Sequence, residues 1–158
     1  MYRKDLDPAH IRKIAEEYYR SGQYYCSEAI VKTINEEFRL GYPDDIVKVA
    51  SGFPIGIGGA GCSCGAVTGG VMAIGMVFGR SAPGDPAIER CLSLCRELHD
   101  RFSGRHGCLC CRSLTRGMIL KSPEHIRKCA VITGEIAEET AVIILRELRC
   151  PGDFPHPL

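Results

Sequence analysis

Apolar residues recur three and four apart along most of the chain, which is the spacing of helices that bury one face. Asp7-Pro8 has the form of a helix cap and first helical position, Ile11, Ile14, Ala15 and Tyr18 follow at helical intervals, and Ser21-Gly22 closes the segment. Cys26, Ile30, Ile34 and Phe38 form a second row, ended by Gly41-Tyr42-Pro43, so Cys26 is expected to face inward where that helix begins. Asp44 and Asp45 open a short helix reaching Ala50. Beyond a breaker run from Arg80 to Pro86, Ile88, Cys91, Leu92, Cys95, Leu98 and Phe102 make a stripe predicted to stop at Ser103-Gly104. The stretch from Cys108 to Met118 predicts one or two helical turns. Ser122-Pro123-Glu124 starts the longest helix, running to about Arg149 before Pro151-Gly152. No segment alternates with period two, so little or no sheet is expected. No repeat or long linker divides the chain. The expectation is an all-α fold, a compact multi-helix bundle in one domain over residues 1–158, with 150–158 as a tail.

Between Ala50 and Gly79 there is no charged residue, a span longer than the ~20 residues that cross a bilayer. Pro54 and the many glycines split it into a flexible front part and a helical part from Gly61 to about Gly79, too short to cross. Gly61, Gly65 and Gly69 stand four apart and offer a flat face for close backbone approach. The segment is therefore expected to be a buried, glycine-rich central helix of the bundle rather than a membrane span. The same face could seat a second copy of the chain in a homodimer.

Composition narrows the function. A net charge of +1 and 7% aromatic residues without Trp give no footprint for nucleic acid or an anionic membrane. Charged residues from Arg3 to Glu17 interrupt any signal-peptide core, so the expected compartment is the cytoplasm. In that setting ten cysteines point to metal ligation or redox turnover rather than disulfide staples.

Two clusters stand out. Cys62-Ser63-Cys64-Gly65 lies where the glycine-rich turn becomes a helix, and free amides at a helix start are expected to lower the Cys64 pKa. Packing of a small buried residue against Gly65 and Gly69 accounts for the same pattern. In the second cluster, Arg105-His106-Gly107-Cys108-Leu109-Cys110-Cys111-Arg112, the Cys108/Cys111 pair has the spacing of a dithiol or of half a metal site. His106 could add a ligand, and Arg105 and Arg112 could favour thiolates. Arg112 in place of histidine excludes covalent haem attachment, and no second pair sits at zinc-ribbon spacing. Cys91 and Cys95, with His99 one turn on, fit a core stripe better than a metal bridge. Cys129, beside Lys128, is expected to favour its thiolate, whereas Cys150 reads as incidental. Glu135, Glu138 and Glu139 read as a solvated helix face, and His10, His125 and His156 have no assignable partner. No phosphate-binding loop or dinucleotide fold is present in the pattern.

The order of Tyr25-Cys26-Ser27-Glu28-Ala29-Ile30, Ala50-Ser51-Gly52-Phe53, Cys64-Gly65-Ala66-Val67-Thr68-Gly69-Gly70, Cys111-Arg112-Ser113-Leu114 and Cys129 resembles the C_GCAxxG_C_C family of redox-active proteins over about residues 20–145. A related domain occurs in split-Soret cytochromes, beside haem and an iron–sulfur cluster. The resemblance implies Cys26, Cys64, Cys111 and Cys129 as the functional thiols, with Gly65 beside them. It implies an oxidoreductase or electron carrier whose thiolates hold an iron–sulfur cluster or cycle between dithiol and disulfide, with a protein or small redox molecule as electron partner. The added cysteines leave Cys62, Cys108 and Cys110 as substitute ligands. The alternatives are a module that holds zinc or carries a soft metal or selenium without electron transfer, and a structural helical dimer.

Overall fold

The computed structural model describes residues 2–149, so Cys150 and the expected tail lie outside the described residues. The described residues form six α-helices and one 3₁₀ helix, with no strand: α1 (Pro8–Arg20), α2 (Cys26–Phe38), the 3₁₀ helix (Asp44–Ala50), α3 (Gly65–Phe78), α4 (Ala87–His106), α5 (Cys111–Leu114) and α6 (Pro123–Arg149). The protein is all-helical.

Helix starts follow local chemistry. The Asp7 carboxylate accepts from the Ala9 amide at 3.0 Å, with Pro8 following it. At α2 the Glu28 carboxylate reaches back to the Tyr25 amide at 2.9 Å. The ends were less predictable. α2 stops at Phe38, and Arg39 takes the left-handed cap conformation, two residues before the Gly41-Tyr42-Pro43 breaker. α4 passes through Ser103-Gly104 and ends at Gly107, whose φ of 75° is the cap. The segment after Pro43 is a 3₁₀ rather than an α-helix.

α6, 27 residues and so about 40 Å long, packs along α1 and also meets α2, α3 and α4. α3 packs against α2, α4 and α6. The core between them holds Ile11, Ile30, Ile34, Phe38, Ile74, Leu94, Leu98, Ile136, Ile143 and Ile144. Close approach relies on small residues: a side-chain carbon at Gly69 would stand 2.7 Å from the Ser27 backbone, and one at Gly70 would strike Leu98, Thr140 and Ile136. The glycine face thus receives α2 of the same chain. No helix among the described residues is long and apolar enough to cross a membrane.

The uncharged span departs from expectation at its front. The helix begins at Gly65, and Gly61 lies outside it with φ of 71°. Residues from Ile55 to Gly61 form a tight coil in which Ile55, Gly56, Ile57, Gly58, Gly59 and Gly61 all have positive φ. Cys62 to Cys64 then run antiparallel to Leu109–Cys111. Ser63 and Cys110 are bridged, the Cys64 amide donates to the Leu109 carbonyl at 2.8 Å, and the Cys111 amide donates to the Cys62 carbonyl at 2.6 Å. The two cysteine clusters are one clasp.

Candidate functional site: a cavity lined by four thiols

Four helix beginnings converge behind that clasp. Cys26 is the first residue of α2, Cys64 is the cap of α3, Cys111 is the first residue of α5, and Cys129 lies in the second turn of α6. All four line one cavity of about 20 Å³, together with Tyr19 and His125. Its size is of the order of a single water site. Gly65 forms part of the wall, directly beneath the Cys26 sulfur.

Burial controls the ionisation of these thiols. Cys64 receives N–H groups from Ala66 and Val67, as a helix cap should, yet burial outweighs them and pushes its pKa up to about 11. The expected lowering at Cys64 therefore does not occur, because the cost of burying its charge exceeds what the amides return. Cys26 is raised by burial and by the neighbouring Cys64 charge, against N–H groups of Ser27 and Ile55. Cys129 is raised by burial, with the Tyr19 hydroxyl opposing as a hydrogen-bond donor and Lys128 as a weaker influence, which corrects the expectation that the lysine prevails. Cys111 is raised by burial and then by Cys110. Across the cavity, Cys64 feels Cys111 and Cys129 electrostatically, and Cys26 feels Cys64 and Cys129.

The remaining cysteines are placed differently. Cys110 is lowered, chiefly by the Ser113 amide and hydroxyl, and its thiol donates to the Gly61 carbonyl at 3.2 Å. Cys62 is exposed, and Cys108 is partly buried. Cys91 and Cys95 belong to the hydrophobic core and its edge, with Cys95 pushed up to about 12 by burial and then by Cys91. His99 is exposed and bonded to Asp100 instead.

Several expected roles shift. His106 is no thiol neighbour: its Nε2 lies 2.9 Å from Glu135, and its ring stacks on Phe102. Arg105 pairs with Glu135 and Glu139, and Arg112 donates to the Ala60 carbonyl at 2.9 Å. Glu135 is buried between α6 and α4, not on a solvated face, because α6 is covered on more than one side. His125, unassigned from sequence, places Nε2 3.7 Å from the Cys129 sulfur, while its buried Nδ1 has no partner. Burial lowers the His125 pKa. The His125/Cys129 spacing of four on one helix was the available signal for this pair. Tyr19, Tyr25 and Ile55 carried none.

An all-helical chain gathering four cysteines from four helices is a multi-thiol helical protein. More particularly, the chain belongs to the family described as "Putative redox-active protein (C_GCAxxG_C_C)", whose model matches residues 24–143. The match takes in all four cavity cysteines. Membership points to redox activity and is consistent with a metal or cluster cofactor without specifying one. No curated protein and no solved structure matches the chain.

Proposed function

We propose that Cys26, Cys64, Cys111 and Cys129 form a redox centre that holds a small iron–sulfur cluster. The carrying observation is that four thiols from four separate helices line one cavity, where burial raises each pKa. A thiol–disulfide enzyme works through a thiol whose pKa is lowered, and burial shifts these four the other way. Metal coordination deprotonates a thiol outright and supplies the cation that a buried sulfur otherwise lacks. No three His, Cys, Asp or Glu side chains among the described residues converge on one ion position.

The donor set fits a cluster in number and kind. When bound, such a cluster supplies reversible one-electron exchange. The chain's own contribution is defined by its residues. Amides of Ser27, Ile55, Ala66 and Val67 favour negative charge on Cys26 and Cys64, and the Tyr19 hydroxyl does so on Cys129. Such donors are what tunes the potential of cysteine-held iron. Ile55, Leu114 and Ile132 supply the apolar part of the wall.

A second reading, dithiol/disulfide cycling among the same four residues, is favoured by the size of the cavity, which is small for a cluster. Protein purified without air, then assayed for iron, acid-labile sulfide and visible absorption, separates the two. Iron and sulfide in comparable amounts, with a charge-transfer spectrum bleached by dithionite, support the cluster. A colourless, metal-free protein with a full thiol titre, even after reconstitution with iron and sulfide, overturns it. Zinc without a redox wave returns the carrier alternative.

A further inference from the structure

Beside the cysteine cavity runs a larger groove of about 400 Å³, within the range that accepts a small organic molecule. The two share Tyr19, Tyr25, Ile55 and His125 as common wall. Tyr24 adds a third phenol ring to the groove, and Lys121 and Leu120 form its far side.

Three independent features mark this groove as built for a ligand. First, Ile55 and Lys121, both bordering it, have φ of 56° and 64°. A β-branched or long side chain in the left-handed region is costly, and such strain collects at binding sites. Second, His125 is 5% exposed, yet its Nδ1 has no hydrogen-bond partner. A buried polar atom left unsatisfied is a deficit that an arriving acceptor or donor recovers. Third, an unpaired cation borders the groove. The Lys121 ammonium sits 5.9 Å from the Tyr25 ring centre and has no carboxylate partner among the described residues. The groove's one acid, Glu28, keeps its charge but turns its two oxygens to the Tyr25 amide and the Ser51 hydroxyl. Arg20 adds a second cation at the rim, shared with Glu16 at 3.4 Å.

We infer that this groove binds a planar aromatic anion, its ring against Tyr24 and Tyr25, its negative group at Lys121, and a polar atom at His125. Phenol rings offer flat apolar faces with polar edges, and a lone ammonium beside them selects a charged ring over a neutral one. Resting on the redox reading above, the ligand is a quinone-type oxidant that is reduced by one electron as the centre is oxidised by one, and Tyr19, which lines both spaces, stands between the groove and Cys129.

The test is calorimetric titration of the full-length protein with anthraquinone-2-sulfonate, alongside uncharged 2-(hydroxymethyl)anthraquinone. The sulfonate is expected to bind at least tenfold more tightly than the neutral ring. Lys121→Gln and Tyr24→Ala, each checked for folding by circular dichroism, should each weaken it about tenfold. Lys48→Gln, a surface lysine outside the groove, should bind it unchanged. Failure of the sulfonate to bind, or equal binding by wild type and both groove variants, overturns the proposal. Binding that follows this pattern in a protein without a redox centre leaves the groove standing and removes only the electron-partner role. A verified cluster with no sulfonate binding removes the groove alone.

Discussion

The Cys26 sulfur rests on Gly65, so close that a methyl group built at position 65 would stand 2.5 Å from it and 3.1 Å from the Phe53 carbonyl oxygen. The sulfur can rotate aside, but the backbone of Phe53 and Pro54 cannot move as cheaply. Gly65→Ala is expected to cost about 1–3 kcal/mol, as overpacking does, seen as a lower urea midpoint. In the folded fraction it should also lower iron and sulfide content. Full loading with an unchanged midpoint would mean that the sulfur's seat is not tight.

Raised thiols make metal-free protein sensitive to alkali. Cys64 stays protonated up to about 11 when folded, from an ordinary value near 9, and Cys26 shifts in the same direction. Above the ordinary value the unfolded chain loses its protons first, so stability is intact below pH 9 and falls as pH climbs towards 11. For Cys64 the loss is about 2–3 kcal/mol. Urea melts between pH 8 and 11 should show it, and Cys64→Ala should flatten the slope.

The clasp thiols should react in a definite order. Cys110 is lowered by Ser113 and lies at the surface side of the bridge, whereas Cys64 is 7% exposed. Brief iodoacetamide treatment of native, metal-free protein at pH 7, read by peptide mass spectrometry, is expected to label Cys110 well before Cys64, Cys26 or Cys95. Equal labelling of Cys64 would show that its pocket opens freely.

Ile57 has φ of 64° and is 46% exposed, so its side chain gains little to offset the strain. Ile57→Gly is expected to raise stability by about 0.5–1 kcal/mol, the relief exceeding the entropy glycine adds to the unfolded chain. A lower midpoint would assign Ile57 a packing role.

Glu135 is buried against Arg105 and His106, away from the thiol cavity. Glu135→Ala leaves His106 without its carboxylate while Arg105 keeps Glu139, and should cost about 1–2 kcal/mol, with iron content in the folded protein unchanged. Loss of iron at full stability would tie α4 to the centre.

Helix starts were readable because they depend on neighbours in sequence. Asp7-Pro8 and Ser122-Pro123 carry their own caps, and the structure begins α1 and α6 there. Ends were harder. Gly104 looked like a stop, but exposed in α4 it costs only about 1 kcal/mol, and the left-handed turn falls at Gly107. Gly61 kept helical spacing with Gly65 and Gly69, yet its amide and carbonyl serve Ile55 and Arg112, outside the helix. The four cavity cysteines were nominated by resemblance, and their convergence depends on contacts that no local pattern contains. The Ser63/Cys110 bridge and the Tyr19 wall are of that kind.

That bridge joins halves that leave the ribosome far apart in time. At 5–20 residues per second, Cys64 emerges about 2–10 s before Leu109 and Cys111 exist to hold it, and Cys129 follows later still. Until the last helix is synthesised, the nascent chain carries unprotected sulfurs beside a half-made coil. The four-thiol pocket is therefore complete only once translation has passed Cys129 in α6.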